Sequence, residues 1–401
     1  MSRVLTELDR EYWSSAVQET LFVENTAIYL AGGDAQSALS ADGKKFHKPI
    51  ISKPRTGTYT PYSDITFKTK TATDQELNAD QIDYAAEEID DVDAKQNWYN
   101  ALEHAGMSMQ KQLNNRIEQY YLSQVSGAKH TVDAGSVGGS SGSNIELSAS
   151  NISQIFTASH TKLDSVDAPM AGRVAVVGAH TLGVMRDMKG NRESTLGDTV
   201  LQDGRVGPMQ GWEIVYNNNL PWTGTIELPT TPTNLDKVVI AGVPFELRTT
   251  VGTGTSGYYG VLFTSAADAK TNLKHAIEGT GTAGTHYIAL SEEDAFILRE
   301  KRRVTAEIST NDLVCKGYGD IVVSETFTSA NNFWKDQKQT SLFAVRGAID
   351  LVVQLGKTLE MTRKEKGFAD LIKALSLYGA KMFDDGAMVS CKVNIDASNW
   401  A

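Results

Sequence analysis

The sequence predicts an α+β fold with a small α+β domain inserted into it. Residues 93–125 carry apolar side chains at intervals of three and four, which is the spacing of one face of a long helix. Short apolar runs bounded by glycine, as at residues 173–178 and 238–240, are typical of buried strands. With 401 residues, of which 41% are hydrophobic, the chain is long enough for two or three domains around a large core.

The N-terminal third is predicted to contain an arm and an extended loop. Residues 1–39 form the predicted arm, with an amphipathic helix over residues 9–30 that ends at Gly32 and Gly33. Glycines and prolines exclude a long helix from residues 40–75, and residues 65–70 alternate at the strand period. A two-stranded loop with so few apolar residues is marginal in water. We therefore expect it to lie on another surface.

Charge is segregated around this loop. The whole chain has a formal net charge of −11, which argues against a broad nucleic-acid-binding surface. Seven basic residues and one acid lie between residues 43 and 70, whereas residues 71–92 contain eight acids and no base. One interpretation is two solvated faces. The alternative is a head-to-tail contact, closing into a ring, in which each loop lies on the acidic region of a neighbouring subunit. The predicted contact residues are Lys44, Lys45, Lys48, Lys53, Arg55, Lys68 and Lys70 on the loop and Glu76, Asp80, Asp83, Glu87, Glu88, Asp90 and Asp91 on the acidic region.

The middle of the chain is predicted to alternate between helices, loops and short strands. Residues 76–165 form one predicted domain around the 93–125 helix, with a flexible Gly/Ser-rich loop at residues 127–144 and a helix at 148–164. Residues 166–224 and 336–366 form two parts of a second predicted domain. The inserted domain occupies residues 225–335 between them.

Local signals place the elements of the inserted domain and of the C-terminal segment. Ser265 and Asp268 predict the start of a helix that runs to residue 278, and strands are predicted at 287–290 and 321–323. Residues 367–401 return to the first domain. Asp384-Asp385-Gly386 predicts a hairpin turn between residues 375–383 and 387–395, with Cys391 as a buried core residue on the apolar face.

Motifs for catalysis, cofactors and metals occur without the context that they need. Residues 252–257 and 279–284 fit G-x-G-x-x-G, but neither run follows a strand and opens a helix, as phosphate binding requires. No two of the seven histidines stand three or four residues apart, so zinc-ligand spacing is absent. The basic cluster at residues 299–303 is interpreted as a solvated surface in preference to a phosphate site. The sequence therefore predicts no catalytic residue, no cofactor and no metal site.

Cysteine usage and hydropathy also restrict the class of protein. Two cysteines do not make a disulfide framework, and the fold is expected to rest on packing. The first residues lack the basic and apolar regions of a signal peptide. No apolar run approaches the roughly 20 residues of a membrane-spanning helix. A secreted or membrane protein is therefore not expected.

The order of these elements resembles the major capsid protein of tailed double-stranded DNA bacteriophages, which has the Hong Kong 97 fold. The likeness is carried by residues 87–96, which resemble the acidic entry to the spine helix, by the strand at 173–178, and above all by residues 204–221, GRVGPMQGWEIVYNNNLP. Residues 343–361 resemble the closing axial helix, and residues 377–381 resemble the final peripheral strands. Length and details are similar to the N-four-like podoviruses (Schitoviridae).

The resemblance implies a peripheral domain (76–165 and 367–401), an axial domain (166–224 and 336–366) and a non-enzymatic role. It implies pentamers and hexamers of this chain, assembled in the host bacterial cytoplasm, that enclose double-stranded DNA in the virion without sequence-specific binding and without a membrane. No scaffold-like segment precedes Asp9, so a separate scaffold protein is expected besides a portal, with a decoration protein as a further candidate. An encapsulin-type compartment shell and, less favoured, an enzyme of unrelated fold remain as alternatives.

Overall fold

The computed structural model describes residues 26–33, 36–37, 45–52, 54, 56–65, 67, 69–96, 101–190, 206–228, 232–250, 257–309, 312–319, 321, 323–328 and 334–395. Most of the helix predicted over residues 9–30 lies outside this part of the chain. The described helices are α1 (Ala27–Leu30), α2 (Asp91–Gln96), α3 (Ala101–Ser123), α4 (Ile152–Asp164), α5 (Ala179–Gly190), α6 (Ala266–Glu278) and α7 (Glu292–Ala295).

The strands belong to four sheets within the described residues. They are β1 (Lys45–Ile51), β2 (Ala72–Asn78), β3 (Gln81–Asp90), β4 (His130–Val132), β5 (Arg173–Val177), β6 (Glu213–Tyr216), β7 (Pro221–Glu227), β8 (Lys237–Ile240), β9 (Val243–Arg248), β10 (Tyr259–Leu262), β11 (Thr305–Ser309), β12 (Asp312–Tyr318), β13 (Val323–Thr326), β14 (Trp334–Val345), β15 (Ile349–Arg363), β16 (Ala369–Met382) and β17 (Met388–Asn394).

The long helix α3 packs on a three-stranded antiparallel sheet in the order β15-β16-β3. Met109, Leu113, Ile117 and Tyr121 recur every four residues of α3, and all are buried, because side chains at this spacing share one helix face. At the contact, the ring of Tyr120 lies edge-on to Tyr378 of β16, with centroids 5.6 Å apart. The helix predicted at residues 93–125 is therefore confirmed over Ala101–Ser123.

The largest sheet has eight strands in the order β11-β12-β7-β14-β17-β4, with β5 paired to both β14 and β6. Its core includes Phe343 of β14, which makes edge-on ring contacts at 5.2 Å with Phe156 of α4 and with Trp212. The predicted helix at 148–164 and the predicted strand at 173–178 are confirmed as α4 and β5. The full burial of β5 explains its continuous apolar run.

A small four-stranded sheet, β10-β9-β8-β13, packs with α6 on one edge of the eight-stranded sheet. Helix α6 begins as predicted, because the Ser265 side chain accepts a hydrogen bond from the backbone N–H of Asp268. Strands β11 and β12 join the large sheet through β7. Residues 225–335 thus contribute to two sheets that share one core, and the predicted bounds of an inserted domain stay a prediction.

The Gly/Ser-rich segment at residues 127–144, expected as a flexible loop, forms short ordered turns and the strand β4. The Asp133 carboxylate accepts hydrogen bonds from the backbone N–H groups of Ser136 and Gly142. These bonds, that of Gly142 first, lower the pKa of Asp133. Composition indicated flexibility here, whereas one capping carboxylate organises the turn.

The predictions of strands at residues 65–70 and 287–290 are also wrong. The described residues of 65–70 belong to no strand, and the paired segments lie outside them at β1 and β2. In the second segment, Tyr287 makes isolated bridges to Val261 and Ala283 without forming a strand. The strand predicted at residues 321–323 begins two residues later, as β13. Alternating apolar and polar residues indicate a segment that can be extended, but whether it forms a strand depends on a neighbouring segment with which its backbone can pair.

Two predictions for the last 60 residues are wrong as well. The strands β16 and β17 do not form a hairpin, because β16 pairs with β3 and β15 while β17 pairs with β14 and β4. Asp384–Gly386 instead carries the chain from one sheet to the other. Residues 343–361, which resemble a closing helix, form parts of β14 and β15. Both strands are extended because β14 pairs with β17, β5 and β7, and β15 pairs with β16.

Cys315 and Cys391 are free and completely buried, as the alternating pattern predicted for Cys391. Burial raises the pKa of both thiols to about 12. We expect neither thiol to react with iodoacetamide in the native protein at pH 8, because the thiolate is the reactive form. Mass spectrometry should find both residues alkylated only after denaturation, and native labelling of either one would contradict their placement.

Candidate assembly surface

The extended loop is a hairpin whose base is paired and whose tip is open. Strands β1 and β2 are antiparallel from Lys45 opposite Asn78 to Ile51 opposite Ala72. The ladder closes where the Ser52 N–H donates to the Thr71 carbonyl oxygen at 2.9 Å. We call residues 52–71 the hairpin tip. Its end is turned by the Ser63 N–H and hydroxyl, which both donate to the carbonyl oxygen of Thr60.

The base of the hairpin is fixed to the body of its own chain. Phe46 lies edge-on to Phe383, with ring centroids 5.9 Å apart. Lys48 Nζ lies 5.1 Å from the centroid of the Phe383 ring and 3.6 Å from the buried carboxylate of Asp350. Lys381 of β16 donates to the backbone carbonyl oxygen of Glu76. The hairpin therefore leaves the sheet as a supported projection.

The predicted basic residues divide between base and tip. Lys45 Nζ lies 2.8 Å from Glu76 Oε2 across the ladder, and this hydrogen bond lowers the pKa of Glu76. Lys45 and Lys48 thus have partners within one chain, whereas Lys70 lies exposed at the tip. The remaining predicted residues, Lys44, Lys53, Arg55 and Lys68, lie outside the described part of the chain.

Most of the predicted acids lie on β3 and α2, and several are already engaged. Glu88 accepts from Lys364 Nζ, and Asp91 pairs with Arg363. Asp83 accepts a hydrogen bond from the hydroxyl of Tyr378.

The other acids have weaker partners among the described residues. Asp80 accepts from the amide of Gln81, and Asp90 accepts from the backbone N–H of Val92. Burial raises the pKa of Glu87. The structure thus brings the acids together along one edge strand, and their contact with a neighbour's loop stays a prediction.

Apolar side chains that the charge analysis did not single out are prominent on these same elements. Four at the hairpin tip are exposed, namely Tyr59, Tyr62, Ile65 and Phe67. On β3, Ile82 and Tyr84 are exposed on the side of the sheet that α3 does not cover. Contiguous exposed apolar surface is a signal of protein contact.

No family model matches the chain, and no curated protein is similar to it. Solved structures do match along nearly the full length. The structure from Mycobacterium phage Che8 has 15% identity and a TM-score of 0.58, covering 96% of this chain and 97% of that one. A capsid structure of cyanophage P-SCSP1u has 11% sequence identity and a TM-score of 0.54, and the match covers 97% of this chain and 94% of that one. The mature capsid of bacteriophage PhiM1 has 12% sequence identity and a TM-score of 0.50, and the match covers 97% of this chain and 93% of that one.

The chain has the fold of a phage capsid protein. The predicted α+β, Hong Kong 97-type fold is therefore confirmed. Identities of 11–15% say nothing about a subgroup, so the Schitoviridae assignment stays a prediction. Within the described residues, no helix is long and apolar enough to span a bilayer, and no three metal-ligating side chains are clustered.

A buried polar joint in this capsid fold was missed by the sequence analysis. We use that name for Thr26, Glu118, Gln119, Asn217 and Asn219. The Glu118 carboxylate of α3 accepts from the N–H and hydroxyl of Thr26 and from Asn219 Nδ2 at 3.1 Å. Asn217 Nδ2 donates to the Thr26 hydroxyl at 2.8 Å. These contacts fix Thr26 to α3 and to Asn217 and Asn219.

Burial raises the pKa of Glu118, and the hydrogen bonds from Thr26 and Asn219 oppose that shift. The signal in the sequence was the run Asn217-Asn218-Asn219, which lies within residues 204–221, the most specific part of the resemblance. Its partner on the helix was not recognisable, because Glu118 has the residue type of a solvated helix position.

The basic cluster at residues 299–303 is a structural connection rather than a solvated surface. The Arg299 guanidinium donates to the carbonyl oxygens of Ala276 and Ile277 at the end of α6. Glu300 pairs with Arg116 of α3. Burial and the neighbouring Arg302 lower the pKa of Lys301. The expectation of a solvated face is thus corrected, since Arg299 and Glu300 connect this segment to the end of α6 and to the long helix α3.

Proposed function

We propose that this protein is the major capsid protein of a tailed phage, a non-enzymatic subunit that assembles as pentamers and hexamers into an icosahedral shell around double-stranded DNA. The observation that carries the proposal is a fold shared with phage capsid structures over about 97% of the chain. The supported hairpin with an uncovered tip adds to it, because a projection of this kind needs a neighbouring subunit.

The proposed partners are other copies of this chain, a portal and a separate scaffold protein, with a decoration protein as a further candidate. The site of action is the virion, after assembly in the cytoplasm of the host, and the Schitoviridae group is the proposed origin. A net charge of −11 favours a shell that encloses DNA without binding it tightly.

In the proposed contact, basic residues of one subunit's hairpin tip lie near the acidic edge strand of the next. Lys70 among the described residues, and Lys53, Arg55 and Lys68 in the sequence, supply the positive charge. Exposed ion pairs contribute only up to about 1 kcal/mol each. Contacts of this strength suit a shell, because many repeated contacts together stabilise it while a wrongly placed subunit can still dissociate.

The test of the function is electron microscopy and sedimentation of the purified protein expressed with its scaffold. Closed shells that contain phage DNA after infection support the proposal. Shells of small diameter that enclose enzymes would favour the encapsulin-type alternative, and an unassembled protein would contradict both.

Charge reversal tests the contact. We expect Lys68→Glu with Lys70→Glu to lower the particle yield several-fold, because repulsion replaces attraction at every repeated contact. Lys129→Glu with Lys162→Glu changes the net charge equally at positions outside the hairpin and serves as the control. Equal yields from the two double variants, at low and at high salt, would rule out the charge contact.

A further inference from the structure

The basic segment at residues 299–303 carries more positive charge than its own acid neutralises. Four of its five residues are basic, and the fifth, Glu300, is paired with Arg116 of α3. The guanidinium groups of Arg299 and Arg302 donate to backbone carbonyl oxygens, which carry no formal charge. With Arg116 included, five positive charges stand against one acid, which leaves an excess of four.

Two of these cations, Lys301 and Arg303, have no hydrogen-bond acceptor for their side chains and no ion pair within the part of the chain that the structure describes. Both residues are half-buried. Burial and the neighbouring Arg302 lower the pKa of Lys301, so its ammonium group lies in a poorly hydrated place close to a second cation. Two cations held in this way are unfavourable by themselves, and an anion that binds between them removes the penalty.

The backbone of Arg303 is a second, independent observation. Its φ is +48°, in the left-handed region that favours glycine, and a long side chain is strained there. Residues held in such conformations are concentrated at ligand-binding and catalytic sites. Burial and Asp83 raise the pKa of Tyr378, and Arg303, which lies near this pair, opposes the shift. Asp83 accepts the hydroxyl of Tyr378 and is not ion-paired with Arg303, so the guanidinium stays available to a ligand.

We propose that Lys301, Arg302 and Arg303 form a binding site for a phosphate group. Lysine contributes a compact charge, and arginine contributes planar pairs of N–H donors that match phosphate oxygens. One inorganic phosphate, or two adjacent phosphodiesters, offsets both unpaired cations, whereas a single carboxylate offsets one of them. The phosphate comes either from solution or from the backbone of enclosed DNA, and the second source rests on the proposed function.

The first experiment measures urea unfolding of the purified subunit at pH 7, in phosphate and in chloride of equal ionic strength. The site variant is Lys301→Gln with Arg303→Gln, and the control is Lys129→Gln with Lys162→Gln. In chloride we expect the site variant to be at least as stable as wild type, because it loses two unpaired charges. Phosphate should stabilise wild type and the control, and this gain should be smaller in the site variant. The control removes the general stabilisation that phosphate gives to any protein.

The second experiment identifies the source of the phosphate. It follows binding of a short, labelled double-stranded DNA to the same three proteins by fluorescence anisotropy at several salt concentrations. If DNA supplies the phosphate, the dissociation constant should rise about tenfold or more in the site variant. The salt dependence should also fall by about one to two phosphate contacts, at roughly 0.9 per contact. If the source is free phosphate, the stability should respond while DNA binding stays equal in the site variant and the control.

Three results would overturn the proposal. The first is an equal response of the site variant and the control to phosphate, together with equal DNA affinity. The second is a site variant that is less stable than wild type by the same amount in both salts, because the two side chains would then be structural. The third is a poly-glutamate peptide that binds wild type more tightly than DNA does and fails to bind the site variant, which would assign the site to an acidic protein segment.

None of these measurements requires particles. Loss of the phosphate response would therefore leave the proposed shell function intact, whereas a wild-type protein that never forms shells would contradict the shell function and leave the phosphate response measurable.

Discussion

Gly379→Ala is expected to lower the free energy of unfolding by about 1–3 kcal/mol and to prevent shell assembly. A Cβ atom at position 379 would lie 2.1 Å from the carbonyl oxygen of Asn78 and 2.9 Å from the Cα of Ala79. These are backbone atoms, which cannot rotate away as the end of a side chain can. They form the junction between β2 and β3, so the added methyl group displaces the hairpin from the sheet.

Urea unfolding measures the stability, and sedimentation measures the particles. Gly183→Ala is the matched control, because a Cβ at that exposed position in α5 meets nothing within 4 Å. Alanine there is expected to raise the stability by about 0.5–1 kcal/mol, since glycine weakens a helix interior, and to leave assembly unchanged. Gly379→Ala protein that unfolds and assembles as wild type would contradict the close approach at this junction.

Glu118→Ala is expected to lower the free energy of unfolding by about 2–4 kcal/mol, because it leaves buried donors of the polar joint without an acceptor. These donors are the N–H and hydroxyl of Thr26 and the side-chain amide of Asn219. Limited proteolysis should also cut the N-terminal segment faster in the variant. An unchanged unfolding midpoint, together with unchanged cleavage, would contradict a structural role for Glu118.

The polar joint also predicts a pH dependence. Burial raises the pKa of Glu118 above its ordinary value of 4.5, so the folded chain holds this proton more tightly than the unfolded chain does. The stability contributed by Glu118 is therefore complete below that ordinary value and is lost as the pH rises through the raised folded-state pKa.

Glu118→Gln cannot ionise and is expected to remove this part of the pH dependence. Its free energy of unfolding should change less than that of wild type between pH 4.5 and 7, measured by urea titration at each pH. A variant whose stability falls more steeply with rising pH than wild type would contradict the raised pKa.

The sequence was most informative where one local pattern sufficed. The apolar spacing of α3, the Ser265 cap of α6 and the buried run of β5 were all predicted, because each depends on residues within a few turns or strands of each other. The basic loop and the acidic segment were identified from their charge, and the contact between them stays a prediction. The exposed aromatic residues on the same elements were not identified.

The predictions that failed depend on distant partners. Residues 343–361 resemble a helix of the family, yet their extended conformation depends on pairing with β5 and β17, which are distant in the chain, and with β16, which follows shortly after β15. The turn at Asp384–Gly386 has the residue types of a hairpin turn, but the strands before and after it belong to different sheets. A turn signal specifies a reversal of the chain and does not specify which strands pair across it.

The sequence by itself therefore determined the segregation of charge and the long helix, because periodicity and composition act locally. Only the tertiary structure decided which charges are already paired, as for Glu88 with Lys364, and which apolar side chains stay exposed, as for Tyr84 and Phe67. Burial and ion pairing are properties of the space around a side chain, and residues hundreds of positions away occupy that space.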